Sequence, residues 1–335
     1  MAESAYRVVF RGPGVAEMEE FPIPQPGERQ VLLRTERTLV SAGTELTSLR
    51  GELATHSGFP LYPGYSNVGV VEAVGPGVEQ PKPGQRLLTM GGHASHILLD
   101  LSPEKGEYWQ PLPDSLPSEQ AVFGILGSVA MHGVRRAHPA LGESAAIFGQ
   151  GVVGQLILQL ARLNGCRPVI ALDLFEERLR RSEESGADYT VNVSSEDPVS
   201  AIARITADRG ADLLFEATRN PQTIPVMLRA AARGGRLLIV GSLPGEVSID
   251  AFTQLQLREL SIIGVFQPAA PLFGHHYFPW TQRRNRQLFL ELVNTGQVKV
   301  EHLITHRLPA TSAAKAYSMI HKGRAGWLGI IFEWD

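Results

Sequence analysis

The sequence predicts an α/β protein of two parts: a small β-rich domain of the kind that closes into a barrel, and a doubly wound parallel sheet covered by helices. Three observations carry this. Residues 1 to about 110 are short apolar runs broken by Pro and Gly. From Ala145 onward, apolar runs alternate with helical patterns, which implies parallel strands with helices on both faces. A glycine-rich loop joins the first of those strands to the first helix. A chain of 335 residues is too long for one ordinary core, so two domains are expected.

In chain order, "YRVVF", "QVLLRTERTLV", "VGVVEAV" and "QRLLTM" read as strands, separated by "PIPQPGE", "GPGVEQPKPG" and "GGHASH". Ser118 is the expected N-cap of a long helix, "SEQAVFGILGSVAMHGVRRA". Then "SAAIFG" is a strand and "GVVGQLILQLARLNG" a helix closed by Gly165. "PVIALD" is the next strand and "FEERLRRSEESG" a helix closed by Gly186. "YTVNV", "PVSAIARITADRG", "DLLFEAT", "TIPVMLRAAARGG", "RLLIVG" and "LSIIGVF" continue the alternation. The tail gives a helix in "NRQLFLELVNTG", a strand near "LITHRL", a helix in "TSAAKAYSMIHKG" and a last strand in "GIIFEW".

Composition narrows the function. Hydrophobic residues make up 43% and charged residues 19%, an ordinary globular balance. A net charge of -3 leaves no electrostatic footprint for nucleic acid or an acidic membrane. No run approaches the roughly 18 apolar residues of a membrane span. The opening "MAESAYRVVFRGPG" lacks the apolar stretch of a signal peptide, so a cytoplasmic location is expected. The single cysteine, Cys166, has no partner for an internal disulfide and cannot build a cysteine-based structural zinc site. It reads as an inert residue beside the second strand of the sheet.

The strongest motif is Gly149-Gln150-Gly151-Val152-Val153-Gly154, directly after an apolar strand and opening a helix. Gly149 permits a tight turn, Gly151 lets the backbone approach a pyrophosphate, and Gly154 lets helix and strand pack closely. The helix N-terminus favours the phosphate charge. Asp173 ends the next strand, near the spacing of a carboxylate that accepts from the adenosine ribose hydroxyls. Its charge opposes a 2′-phosphate and favours NAD over NADP. Arg178, five residues on, works the other way, since an arginine there accommodates that phosphate. The arginines of "RLRR" read as the wet face of their helix.

The signatures "PGYSNVGVVEAVGPGV" followed by "PGQRL", the "FGQGVVG" loop and the "ITHRLP…AAKAYSMIHKG" ending resemble the medium-chain dehydrogenase/reductase family, over essentially the whole chain. The resemblance implies a GroES-like β-barrel catalytic domain built from residues 1–124 and 267–335, and a Rossmann domain over residues 125–266. It implies an active site in the cleft where the two meet. The local sequence "SAGTEL" with "PGYSNVG" is similar to a zinc-less branch that includes bacteriochlorophyllide dehydrogenase-like members. The resemblance extends the expected cofactor site to Val153, Thr218, Gly241 and Phe266. It also implies a homodimer joined through sheet edges, with "LSIIGVF" as the pairing strand.

Zinc-dependent members bind catalytic zinc through a cysteine, a histidine and a third ligand on the interdomain helix. Those positions fall here on Ala42, Tyr65 and near Ile125, and the glutamate beside the histidine falls on Ser66. Ala, Tyr and Ile supply no thiolate, imidazole or carboxylate, so no metal is expected. His93 and His96, three apart on an expected strand, point to opposite faces and cannot chelate together.

Proton handling then falls to side chains. Thr44 sits where the family keeps the hydroxyl of its proton relay, or is an ordinary turn threonine. Tyr65 takes a position that faces the reacting centre, where its phenol either bonds a substrate oxygen or fills the space of the metal. Glu45 reads as a capping or ion-pair partner rather than a base. "FQPAAPLFGHHYFPWTQRRNRQ" gathers His275, His276, Tyr277, Phe278 and Trp280 in one loop, suited to a ring-shaped or hydroxylated substrate, or else to packing at a boundary. His132 reads as a satisfied helix histidine. Arg283, Arg284 and Arg286 read as a helix start exposed to water. The leading expectation is a zinc-independent NAD-dependent enzyme interconverting a secondary alcohol, of polyol, cyclitol, sugar-like or ring-bearing kind, and a ketone by hydride transfer. Reduction of an activated C=C bond is the alternative, and a nucleotide-binding scaffold without catalysis is the alternative of another class.

Overall fold

The structure is a computed structural model that describes residues 4–52, 58–102, 108–323 and 325–334. Contacts divide the chain into two compact units: Met1–Leu126 with Leu272–Asp335, and Gly127–Pro271. No helix among the described residues is long and apolar enough to cross a membrane.

In the first unit, β1 (Ser4–Gly12) and β2 (Val15–Pro22) form an antiparallel hairpin. The sequence reading missed β2, because its alternation places Glu17, Glu19 and Glu20 among few apolar residues. Glu19 nonetheless draws Arg7 and Arg11 of β1 into ion pairs at 2.6 and 2.7 Å. A mixed sheet contains β3 (Gln30–Leu39), β4 (Asn67–Val74), β5 (Arg86–Thr89) and β7 (Trp109–Pro111) on one side. It is completed by β14 (Ile304–Pro309) and β15 (Gly329–Glu333) from the end of the chain, in the order β14-β15-β3-β4-β5-β7. Strand β6 (His96–Asp100) pairs with β3 as well. Val31, Leu33, Val71 and Leu87 fill one core of this unit. Phe10, Leu46, Leu49, Tyr317, Phe332 and Trp334 fill another.

Helix α1 (Ala42–Arg50) replaces the turn expected at Thr44. It is short and begins with Ala-Gly-Thr, a weak helix signal. What fixes it is the burial of Leu46 and Leu49, three apart on one face, with Gly51 in the left-handed conformation at its end. Ser118 is not an N-cap. It is the first residue of α2 (Ser118–Ala121), and its hydroxyl donates to Glu36 while accepting from Arg86. The long helix read there is interrupted after Ala121 and resumes as α3 (Gly124–Ala137). Helix α8 (Gln282–Asn294) corrects the reading of its arginines. Arg283 and Arg284 are exposed, whereas Arg286 is 1% exposed. Residues 282, 285, 286, 289, 290 and 293 share the helical face that packs inward, so spacing overrides charge.

The second unit is a six-stranded, all-parallel sheet in the order β10-β9-β8-β11-β12-β13. Its strands are β8 (Ala145–Phe148), β9 (Val169–Asp173), β10 (Tyr189–Asn192), β11 (Ala211–Glu216), β12 (Ala231–Ile239) and β13 (Ser261–Gly264). Helices α4 (Val152–Leu163), α5 (Glu176–Glu184), α6 (Pro198–Ile205) and α7 (Thr223–Ala230) connect them. Helix α7 ends at Ala230, earlier than "TIPVMLRAAARGG" implied, because Ala231 already pairs with Ala211. The order places the topological switch between β8 and β11, where doubly wound sheets bind their ligands.

Candidate functional site

In the parallel-sheet unit, β8 delivers the chain to Gly149 with φ +92, a conformation that favours glycine. A Cβ there would also lie 2.9 Å from the main chain of Ala217 and Thr218. A Cβ on Gly154 would lie 1.9 Å from the Gly149 carbonyl oxygen, so α4 reaches the loop only because residue 154 is bare. A Cβ on Gly151 would meet nothing within 4 Å. The loop therefore presents bare backbone at the start of α4, with Val153 half-buried one position before Gly154. That cradle fits a pyrophosphate.

Asp173 closes β9 and is 7% exposed. One carboxylate oxygen accepts the Gln150 main-chain N–H at 2.6 Å, and the other accepts the Phe175 N–H at 3.0 Å. Arg178 is buried, not on a wet face as "RLRR" was read. Its guanidinium lies 3.8 Å from Asp173 and over the Phe175 ring, because α5 starts at Glu176 and turns position 178 inward. Beneath, Gln150 accepts from Ser182, and Gln155 donates to Ser182 and to the Arg178 carbonyl, so the loop, α4 and α5 are locked together.

The sequence reading missed Glu216. It is fully buried at the end of β11, and burial pushes its carboxyl above the usual carboxylate range. One oxygen accepts from the Thr218 N–H, the Thr218 hydroxyl and the Arg219 N–H at 2.7, 2.5 and 2.8 Å. The turn it holds puts Arg219 at φ +64, and a Cβ on Gly241 would lie 2.5 Å from its other oxygen. Thr218 and Gly241 thus meet around one carboxyl, and Thr218 abuts Gly149. The acid closing "DLLFE" at a strand's carboxyl end was the available signal. Phe266, just past β13, is 66% exposed.

In the other unit, Tyr65 hydrogen-bonds Ser41 through the two hydroxyls. Ser41 is the N-cap residue of α1, yet its side chain makes no capping bond. Glu45 does that instead, accepting the Ser41 main-chain N–H at 2.8 Å. Thr44 is half-buried one turn into α1. The hydroxyl that Tyr65 meets is thus that of Ser41, which the sequence reading had passed over. A serine just before an apolar-spaced segment was the signal available.

Glu45 is 2% exposed. Its second oxygen accepts from the Tyr317 hydroxyl at 2.5 Å and meets His93 Nε2 at 3.1 Å. His93 Nδ1 is 2.8 Å from the Thr38 hydroxyl, which accepts from Trp334 Nε1 at 3.0 Å. His93 precedes β6 rather than sharing a strand with His96. His96 lies on β6 beside Glu72 at 3.3 Å, so the two rings have separate surroundings.

Ala42, Tyr65 and Ile125 stand where the resemblance placed zinc ligands, and none carries a zinc-binding atom of the usual kind. Among the described residues, no group of three or more His, Cys, Asp and Glu is placed to hold a metal ion. His275 and His276 occupy an exposed loop, their ring centroids 6.1 Å apart, with Tyr277 93% and Phe273 83% exposed. His132 is buried in α3, and burial, with Arg136 and Arg135 nearby, lowers its imidazole to about 4. Burial raises the Cys166 thiol to about 11, which leaves it inert as expected.

Residues 152–280 match the family described as zinc-binding dehydrogenase. Human sorbitol dehydrogenase is 26% identical, over 94% of this chain and 92% of its own. L-threonine 3-dehydrogenase from Bacillus subtilis is 27% identical, over 93% of each. A crystal structure from Sinorhizobium meliloti, described as a zinc-binding dehydrogenase bound to NADP, superposes with a TM-score of 0.85 at 25% identity, covering 99% of both chains. With the glycine loop, the acid at the end of β9 and likeness along nearly the whole length, the chain is similar to zinc-type alcohol dehydrogenases of the medium-chain kind, and it is an NAD(P)-dependent oxidoreductase.

Proposed function

We propose that the protein is a zinc-independent, NAD(H)-dependent dehydrogenase that interconverts a secondary alcohol of polyol, cyclitol, sugar-like or ring-bearing kind with its ketone. The observation that carries this reading is Tyr65, a phenol bonded to the Ser41 hydroxyl at a position where zinc-dependent relatives place a ligand. The relatives named for sorbitol and threonine oxidation support the alcohol–ketone class. Asp173 supports NAD, since its carboxylate sits at the loop where a 2′-phosphate would bring more negative charge. Arg178, 3.8 Å away, weakens that preference without reversing it.

Bound NAD supplies the hydride acceptor. The chain's residues do the rest: the glycine loop and Asp173 hold the cofactor, while Thr218, Gly241 and Phe266 line its path along the strand ends. Tyr65 binds the substrate oxygen and exchanges its proton, Ser41 orients the phenol, and Thr44 supplies the next hydroxyl of the relay. His275 and His276 contribute imidazoles from an exposed loop. The enzyme works in the cytoplasm as a homodimer; the dimer is supported by β13, which ends the sheet among the described residues and exposes 38% of Ile262.

The test is turnover with NAD on polyols, cyclitols and sugar alcohols, and with NADH on enones, each with and without a chelator. Chelator-insensitive oxidation of one alcohol class is expected. Turnover confined to enones would replace this reading with C=C reduction.

A further inference from the structure

We propose that Glu45, held by His93 and Tyr317, is a positioning residue that fixes the Tyr65 hydroxyl from behind; this rests on Tyr65 being the group that meets the substrate oxygen. Glu45 reaches the Tyr65 phenol through its neighbours. It acts on both sides of it. On one side its carboxylate accepts the Ser41 main-chain N–H, and the Ser41 hydroxyl meets the Tyr65 phenol. On the other, its partner His93 is packed onto Gly64, the residue before Tyr65: a Cβ on Gly64 would lie 2.7 Å from the imidazole Cδ2 and 2.8 Å from the His93 nitrogen. The His93 main-chain N–H donates to the Pro63 carbonyl at 3.0 Å, which fastens the same turn. The two arms that carry the Ser41–Tyr65 pair therefore converge on one buried carboxylate.

The proton arrangement is self-consistent. Trp334 Nε1 can only donate, so the Thr38 hydroxyl accepts from it and keeps its own hydrogen available for His93 Nδ1. The Glu45 carboxylate can only accept, so His93 carries a proton on Nε2 and donates to it. Burial and the neighbouring carboxylate hold the Tyr317 phenol well above its usual range, so it remains a donor to Glu45. Three donors meet the two oxygens of Glu45, and every group is 9% exposed or less. A buried polar network that is fully satisfied fixes geometry, and one that loses a member is costly. A helix cap alone needs only the Ser41 N–H. The further bonds from a histidine and a tyrosine, reaching from distant parts of the chain, exceed that need.

The test is spectroscopic, with kinetics beside it. The chain holds seven tyrosines, few enough to resolve by ¹³C labelling at Cζ, and Tyr65 is assigned by the signal that disappears in Tyr65→Phe. Ser41→Ala and Glu45→Gln should both move the Tyr65 signal and lower kcat about tenfold, with NADH binding unchanged. Gln keeps the acceptor for Ser41 but offers an amide where Tyr317 and His93 donate, so its effect isolates their contribution. If Glu45→Gln fails to fold, Tyr317→Phe removes one donor only and should move the Tyr65 signal in the same direction by less. A Tyr65 signal unmoved in whichever of these two variants folds overturns the proposal and leaves Glu45 a helix cap. A moved signal with full activity in Tyr65→Phe supports the positioning role and instead removes Tyr65 from catalysis.

Discussion

The carboxylate of Asp173 accepts the main-chain N–H of Gln150 at 2.6 Å, so the end of β9 holds the middle of the glycine loop. One side chain thereby shapes the phosphate cradle and stands at the ribose end of the expected cofactor. Asp173→Ala should weaken NADH binding about 10- to 100-fold, the scale of one or two hydrogen bonds to a charged group. NADPH should lose less, because a repulsive charge leaves with the carboxylate. Fluorescence titration of both nucleotides checks this, and tight NADPH binding by the unaltered protein would sink the NAD assignment.

Gly154 tests the loop by volume. A methyl group there would sit 1.9 Å from the Gly149 carbonyl, and neither main-chain segment has room to yield. Gly154→Ala should cost about 1–3 kcal/mol, the usual range for overpacking, and should impair NADH binding more than its stability loss accounts for. Gly151→Ala meets no atom and should cost little stability. Denaturant melts with NADH titrations separate the two variants.

His132 makes stability pH-dependent. Its imidazole is lowered from 6.5 to about 4 in the folded chain by burial and then by Arg136 and Arg135. The unfolded chain thus takes up a proton that the folded one refuses. Stability contributed by the neutral ring is present above pH 6.5 and lost as pH falls towards 4, by at most roughly 3 kcal/mol. His132→Gln should flatten that part of the profile. An unchanged slope between pH 6.5 and 4 would show that other groups set it.

Much of this was legible in the sequence, for a physical reason. The glycine loop, the helix after it and the acid at Asp173 are fixed by local chain geometry, which a short segment specifies alone. Helix α1 was not legible, because its start is stabilised by Glu45 and its face by distant Leu46 and Leu49 contacts rather than by propensity. Arg286 misled because charge suggested water, while spacing on α8 turned it inward. The Glu45 partners were hidden by sequence separation: His93 is 48 residues away and Tyr317 is 272. Tyr317 sits at a core-spaced position of α9 (Ala313–Lys322), where an aromatic reads as packing and its hydroxyl goes unnoticed.

The β13 edge gives an oligomer prediction. Its Ser261–Gly264 segment pairs with β12 on one side, and Ile262 is 38% exposed. Ile262→Lys adds a charge of the kind that protects sheet edges from pairing. Light scattering should report a dimer for the unaltered protein and a shift towards monomer for the variant. A monomer at micromolar concentration before any substitution would count against the dimer.

The sharpest prediction concerns the metal position. Zinc needs thiolate, imidazole or carboxylate ligands, and Ala42, Tyr65 and Ile125 offer none. The purified protein should carry no stoichiometric zinc, and a chelator should leave turnover intact. On the proposed function the proton moves through hydroxyls, and the Ser41–Tyr65 pair is held in place by the buried carboxylate of Glu45. Tyr65→Phe removes only an oxygen, so a space-filling phenol would lose little by it. A proton-transfer group typically loses about 10²–10⁴-fold in kcat. Thr44→Ala should lower kcat too, while both variants spare NADH binding, since neither residue belongs to the unit that carries the glycine loop. If both keep near-full activity, proton handling moves to His275 and His276, and His275→Ala and His276→Ala become the deciding variants. One zinc per chain by metal analysis would overturn zinc independence itself.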